Sequence, residues 1–338
     1  MVLRAPNTLT VIDKRTHGKK RRIISQGFSD VALKTHEDVI LEQIQNLCMR
    51  LGEQADTHSW SSGKDMARLS DYFTFDVMSN IVFDEVLFGE AIQARDQFIT
   101  FIDEMLQEGI KSSKGVFTML TNAKDPETGQ PLSMRELRGE TATLIVAGTD
   151  TTSTALAVCF FYLSHNNKAY HRTAEEVRSM FHSADENRMG PQMNQCTALW
   201  REAEEGAVVD GKDIPQGVEV GTGIYSIHHN PAYYPQPFAF LPERWLPKEA
   251  TNKAQAEDVL HLAHAAFNPF SIGTRSCIGK GLAYTELHLA LAHILWSFDF
   301  RLAEGKATIP MTWVPGSQRA KKRPFSALLK KVSEQPSD

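Results

Sequence analysis

The stretch Phe267-Asn-Pro-Phe-Ser-Ile-Gly-Thr-Arg-Ser-Cys-Ile-Gly279, "FNPFSIGTRSCIG", sets one cysteine, Cys277, between glycines in a loop. A helical pattern over Lys280–Ser297 follows at once, with Leu282, Leu287, Leu289, Leu291 and Leu295 among its apolar positions. A thiolate is a strong electron-donating ligand, and as the axial ligand of a heme iron it favours O–O cleavage. Such a sulfur has to stay deprotonated, which calls for nearby donors and close backbone approach. Gly273 and Gly279 permit turns closed to other residues and bring N–H groups toward the sulfur. The planar fork of Arg275 suits a carboxylate such as a heme propionate. A helix opening just after the loop aims its positive end at the thiolate.

The chain has 338 residues, 42% hydrophobic and 23% charged, as a folded globular protein requires. Net charge is −5, and the basic runs "DKRTHGKKRR" and "KKRPFSALLKK" are short and carry no nucleic-acid-reading motif, so no nucleic-acid partner is expected. The second reads as a solvated basic face, and for the first a solvated basic turn and a functional role both stand. The four cysteines, Cys48, Cys159, Cys196 and Cys277, are widely spaced without a C-x-x-C pair, which favours a reduced intracellular setting over a disulfide framework. No H-E-x-x-H or similar metal spacing occurs. The N-terminal "MVLRAPNTLTVIDKRTHG" has no apolar anchor, and the long apolar tract Thr143–Leu163 is interrupted by "GTDTTST". That insert predicts a buried core helix in place of a membrane span.

Helical patterns dominate the first half. Apolar residues recur at three and four from Asp30 to Gln54, with Ser29 as the cap, and further helices are expected over Met66–Val86 and Gln93–Ile110. "DPETGQP" (Asp125–Pro131) reads as a loop. Ser133 and Glu136 form an S-x-x-E capping box that opens a long helix to about Ser164, followed by one over Lys168–Phe181. After Arg201 the pattern turns to short alternating runs, with a hairpin signal at Asp210-Gly211 and a turn at Pro215-Gln-Gly217. The segment "HHNPAYYPQPFAFLPERWLPKEA" has five prolines and reads as loop. The expected fold is mainly α with a minor β region. It forms one domain over 1–338, with a helical part at about 17–197 and a part at about 198–338 that carries hairpin, meander, cysteine loop and last helix.

Within the long helix, "AGTDTT" (Ala147–Thr152) sets glycine, an acid and hydroxyls where apolar residues would be expected. Gly148 costs a helix roughly 1 kcal/mol relative to alanine, so something is expected to pack close to the backbone there. An Asp beside a Thr offers a proton route into a dry site.

F-x-x-G-x-R-x-C-x-G, carried here by Phe270, Gly273, Arg275, Cys277 and Gly279, resembles the heme-binding signature of the cytochrome P450 superfamily. The resemblance implies a cytochrome P450 fold binding heme b, with Cys277 ligating iron, Arg275 on a propionate and Phe270 shielding the sulfur. "AGTDTT" resembles the family's oxygen-activation motif. On that match Thr151 steers protons in dioxygen activation, Asp150 relays them and Gly148 makes room for dioxygen. "HGKKRR" resembles the start of a heme-contacting helix, with His17 or Arg21 toward a propionate. "FAFLPERW" resembles the family's meander with Arg244, and "LWRE" a strand with Arg201 as a further propionate partner. The stretch from Asp210 to Leu246 resembles filamentous-fungal members that oxidise secondary metabolites, among them relatives of trichothecene and benzoate hydroxylases.

Three departures from the family pattern stand out. The family carries a helix with E-x-x-R before the segment resembling "ALWRE", whereas this chain passes directly from Thr197 to Ala198. Its only E-x-x-R is Glu175–Arg178, on a neighbouring helix, and reads as a solvated charged face. Without the missing helix's Glu and Arg, the buried network around Arg244 is expected to be broken, a loss typically of about 3–5 kcal/mol. Helices that roof the substrate pocket between "VFDEVLFGEA" and "QARDQFITFIDEML" also look shortened. Nothing resembling the family's N-terminal anchor and small sheet precedes "APNTLTVIDKRTHG".

The implied activity is heme-thiolate monooxygenation of an apolar small molecule. NADPH would supply electrons through a separate cytochrome P450 reductase. Relatives sit on the endoplasmic reticulum membrane, whereas no anchor is read in this chain. The competing expectations are a non-catalytic remnant, which the missing segments favour, and a heme-thiolate isomerase or dehydratase, which the intact "AGTDTT" disfavours.

Overall fold

The structure is a computed structural model that describes residues 6–84, 115–180, 200–202, 206–246, 253–303 and 326–332. The expected helix over 93–110, the Thr197–Ala198 junction and Cys196 lie outside those residues. The chain divides into two units. The first comprises Met1–Met193, Ile278–Trp313 and Ala320–Asp338; the second comprises Asn194–Cys277 and Val314–Arg319.

The first unit is helical. Its described helices are α1 (Lys14–Ile24), α2 (Asp30–Gly52), α3 (Met66–Phe83), α4 (Val116–Asn122), α5 (Met134–His165), α6 (Asn167–Met180) and α9 (Lys280–Ser297). Asp13, Ser29 and Asp65 cap α1, α2 and α3 through their side chains. Ser133 and Glu136 close both halves of the capping box on α5. α3 lies along α5, and α9 packs on α2, α5 and α6. The core joins Phe73, Val77 and Ile81 of α3 to Ile145, Leu156 and Phe160 of α5, and Ile40 and Ile44 of α2 to Leu287 and Ile294 of α9. Each fully buried side chain of this size contributes about 1.5–3 kcal/mol. Among the described residues α5 is the helix long and apolar enough to cross a membrane. Its residues Ile145, Leu156 and Phe160 are sealed in this core, as its polar insert predicted.

A three-stranded antiparallel sheet in the same unit has the order β1 (Lys64–Asp65), β7 (Ser326–Lys331), β6 (Phe298–Leu302). The second basic run is therefore no solvated face over Ser326–Lys331. It is the central strand, with Ala327 and Leu329 fully buried and Lys331 exposed. Period-two alternation, too short to register beside the lysines, explains the difference.

In the first basic run, too, some basic side chains are held by the fold, so a wholly solvated turn does not describe it. Lys20, 1% exposed, pairs with Glu136 and Glu140 of α5 at 3.1 Å each. Glu140 also accepts the Thr8 amide at 2.9 Å. Arg22 holds Asp125 through two hydrogen bonds of 2.6 and 3.0 Å. Arg178 also departs from the expected solvated face. It donates to the Leu295 carbonyl at 2.9 Å and the Phe298 carbonyl at 3.2 Å, where α9 ends, and to Asp299 at 2.9 Å.

The second unit is built from short pieces. β2 (Trp200–Glu202) pairs with β5 (Glu219–Gly221), and β3 (Ala207–Val209) with β4 (Lys212–Ile214). Asp210 (φ 49°) and Gly211 (φ 72°) form the expected two-residue hairpin turn with left-handed backbone at both positions. α7 (Ile224–His228) and α8 (Lys253–Ala266) flank the loop-rich meander.

Candidate active site

The cysteine loop is held by its own backbone. The Cys277 amide donates to the Phe270 carbonyl at 2.8 Å, Ser276 to Gly273 at 3.0 Å and Ser271 to Asn268 at 3.0 Å. Gly273 has φ +76° and Ser271 φ +58°, the left-handed turns that fold the segment back. Phe270 is buried, Arg275 is half-buried at the end of a single 3₁₀ turn, and Cys277 is exposed. The other described cysteines differ sharply, since burial pushes the thiols of Cys48 and Cys159 up to about 12. Gly279 has φ −84°, which any residue could adopt, yet a Cβ there would meet nothing within 4 Å. Neither backbone strain nor protein packing requires a glycine at that point. An accessible thiol on a pinned loop, an arginine two residues before it and open space at Gly279 suit a planar metal macrocycle, and the residues fit a heme.

The rings behind the loop fix its base. Phe267 lies 5.0 Å from Trp245 and 5.4 Å from His228, and Trp245 is 5.2 Å from His264, centroid to centroid. The Tyr234 hydroxyl donates to the Ala263 carbonyl at 3.0 Å. Arg244 is not stranded by the absence of acidic partners. Its guanidinium donates to the carbonyls of Pro235 (3.0 Å), Gln236 (3.1 Å) and Ala239 (3.4 Å), so the expected broken network is replaced by backbone acceptors of the meander itself.

On α5 the motif residues divide between two faces, with Thr152 buried and Gly148 turned to α3. Val146, Ala147, Asp150 and Thr151 are exposed along a helix whose other side is core. The Thr151 hydroxyl donates to the Ala147 carbonyl at 2.7 Å, and the Thr154 hydroxyl to the Asp150 carbonyl at 2.7 Å. Side-chain hydroxyls thus compete for helix carbonyls on either side of the acid, which loosens and bends a helix. Gly148 turns toward α3, where a Cβ would come within 2.5 Å of the Met78 sulfur. The group packed close to this glycine is the Met78 side chain.

His17 is buried on α1, and Arg21 of the same helix is half-buried. Arg201 lies on β2 opposite Val220 of β5. The sequence does not single out Thr74, Met78 or Lys20. The helix-weakening Gly148 signals that some group packs close, without saying which, and nothing local signals that Lys20 is buried.

A family model described as Cytochrome P450 matches the chain over residues 87–199 and 195–323. The fungal "Cytochrome P450 monooxygenase atnE" of Emericella nidulans is 43% identical over 376 residues, covering 90% of this chain and 72% of that protein. "Cytochrome P450 monooxygenase poxM" of Penicillium oxalicum is 40% identical, covering 92% and 72%. Among solved structures, a cytochrome P450 (CYP102L1) superposes with a TM-score of 0.75 at 18% identity, covering 98% of this chain and 82% of that one. The fold and the fungal relatives are those of an oxidoreductase. The chain belongs to the cytochrome P450 family, and the Emericella and Penicillium relatives are named as its monooxygenases. The family model matches in two pieces that meet at 195–199, where Thr197 runs directly into Ala198. The alignment to the Emericella protein is longer than the 338 residues of this chain, so that relative carries internal residues that this chain lacks.

Proposed function

We propose that this cytochrome P450 hydroxylates an apolar small molecule of the secondary-metabolite class, with electrons from NADPH delivered by a separate flavoprotein reductase. Bound heme supplies the dioxygen chemistry. In this reading Cys277 holds the iron as thiolate and Arg275 grips a propionate, assisted by Arg201 and by Arg21 or His17. Phe270 walls the sulfur, and Gly273 and Gly279 let the loop approach. Thr151 and Asp150, on the exposed face of α5, hold and pass the proton, and Gly148 lets α5 keep its close approach to α3. The working location is the endoplasmic reticulum membrane, as for full-length relatives.

The observation that carries the reading is the exposed Cys277 on a loop pinned by its own amide, in contrast to Cys48 and Cys159, which are half-buried against the helical core. The test is a carbon monoxide difference spectrum of the heme-loaded, dithionite-reduced chain. A thiolate-shifted Soret band is expected, and it should vanish entirely in Cys277→Ala. A wild-type band at the position of nitrogen- or thiol-ligated heme would sink the reading.

The interruption at 195–199 favours a second reading, a heme-binding chain without turnover. That chain would give the thiolate band yet form no oxygenated product with reductase and NADPH. A heme-thiolate isomerase would instead be indifferent to Thr151→Ala, whereas a hydroxylase should divert electrons to peroxide.

A further inference from the structure

Thr74 and Met78 stand one turn apart on α3, both fully buried, and both meet α5 inside the "AGTDTT" segment. The Thr74 hydroxyl lies 3.1 Å from the Thr149 carbonyl, across the helix interface. Met78 fills the notch left by Gly148, with its sulfur 2.5 Å from where a Cβ would be. The Thr149 hydroxyl is itself buried with no hydrogen-bond partner among the described residues, and the tie at this residue runs through its backbone. The carbonyls of Ala147 and Asp150, on either side, take the hydroxyls of Thr151 and Thr154. Three carbonyls within four residues thus accept a hydroxyl in addition to their place in the continuous helix, a pattern that slightly destabilises and often bends a helix, beside a glycine that weakens it by roughly 1 kcal/mol. A contact from a neighbouring helix is what fixes the shape of such a segment.

We infer that Thr74, with Met78, is a positioning residue for the reaction: it holds the Thr149–Asp150 peptide of α5 so that Asp150 and Thr151 keep a fixed presentation on the exposed face. Thr74 touches neither substrate nor cofactor and acts only through α5. Its hydroxyl has one proton and a rival acceptor, the Ser70 carbonyl of its own helix at 3.0 Å, so the grip is adjustable. The inference rests on the proposed proton-handling role of Asp150 and Thr151.

The test compares Thr74→Val, which keeps the shape and deletes the hydroxyl, with Thr74→Ser, which keeps the hydroxyl. Both are prepared as heme-loaded full chains and read in two ways. Amide hydrogen exchange over residues 147–153 should quicken about fivefold in Thr74→Val, the worth of one neutral hydrogen bond, and stay near wild type in Thr74→Ser. The fraction of electrons released as peroxide should rise with it in Thr74→Val alone. Unchanged exchange in Thr74→Val, or equal loss in Thr74→Ser, would overturn the grip. Faster exchange without extra peroxide, in a protein where Thr151→Ala does raise peroxide, would overturn the positioning role. If Thr151→Ala leaves peroxide unchanged, the proton-handling reading fails by itself, and exchange still decides whether α3 holds α5.

Discussion

The two units of this cytochrome P450 are held together by different physics. The helical unit relies on area: α2, α3, α5 and α9 bury long runs of aliphatic side chains, and a buried ion pair, Lys20 with Glu140, joined by the half-buried Glu136, ties α1 to α5. Among its described residues the cysteine-bearing unit has few fully buried aliphatics. Its segments are fastened by rings and by side chains bonded to backbone carbonyls. Tyr225 stacks on His229 at 3.9 Å, His229 meets Phe238 at 5.0 Å, and Trp245 bridges His264 and Phe267. Area is lost in proportion to the atoms removed, whereas a directional fastening fails when its one donor goes. Among polar side chains the helical unit should therefore be most vulnerable at its ion cluster, and the cysteine unit at its hubs.

The largest effect expected from a single side chain is at Lys20. Lys20→Met keeps the length and apolar stem while leaving two carboxylates without their cation, and Glu140 is as buried as the lysine. The loss should be about 3–5 kcal/mol, confined to the helical unit and seen as a lower midpoint in urea. Adding Glu140→Gln should recover part of it, because the burden is the uncompensated charge and not the missing contact. Equal stability of Lys20→Met and wild type would erase the distinction between the units on this side.

Arg244→Ala tests the other side. Three meander carbonyls lose their donor, and a charged donor to backbone acceptors contributes about 2 kcal/mol. Arg244→Lys should restore little, since a single ammonium cannot span the three acceptors as the guanidinium does. Exchange should quicken over residues 235–246 while the helical unit is unaffected. A loss that spreads to α3 and α5 would show that the units do not unfold separately.

What was legible in the sequence follows the range of each constraint. α9 runs Lys280–Ser297 as its apolar spacing predicts, the Ser133–Glu136 box closes, and Asp210-Gly211 turns the hairpin, because each depends on residues a few positions apart. The cysteine loop stands out for the same reason, since its turns, donors and sulfur lie within ten residues. Lys20 and Glu140, by contrast, are 120 residues apart, and Thr74 and Thr149 are 75 apart. A lysine in a basic run gives no local sign that its ammonium is buried. Arg178 and Arg244 hide their roles for another reason: their acceptors are carbonyls, which every residue carries and no sequence distinguishes. Hence the sequence pointed to missing partners for Arg244, while the folded chain found others.

The smallest expected effect separates the units by pH. Glu286 on α9 is 1% exposed, both its carboxyl oxygens lack a hydrogen-bond partner among the described residues, and burial holds its pKa well above the usual 4.5. The folded chain therefore binds this proton more tightly than the unfolded one. Its stabilising contribution is complete below about pH 4.5 and is lost as pH rises toward the folded value. His228, in the cysteine unit, goes the other way. Burial first, and then the neighbouring His229, hold its pKa below 6.5, so its contribution is present above 6.5 and is lost as pH falls toward the folded value. His36 on α2 is lowered by burial too and works against Glu286 inside the helical unit, so only differences from a variant isolate either group. Between pH 5 and pH 8, Glu286→Gln should gain stability on wild type as pH rises, read by exchange in α9. His228→Gln should gain on wild type as pH falls, read by exchange in α7 and around Phe267. If both differences run in the same direction, the pH responses belong to the fold as a whole, and the contrast between an area-held and a ring-held unit does not extend to their protons.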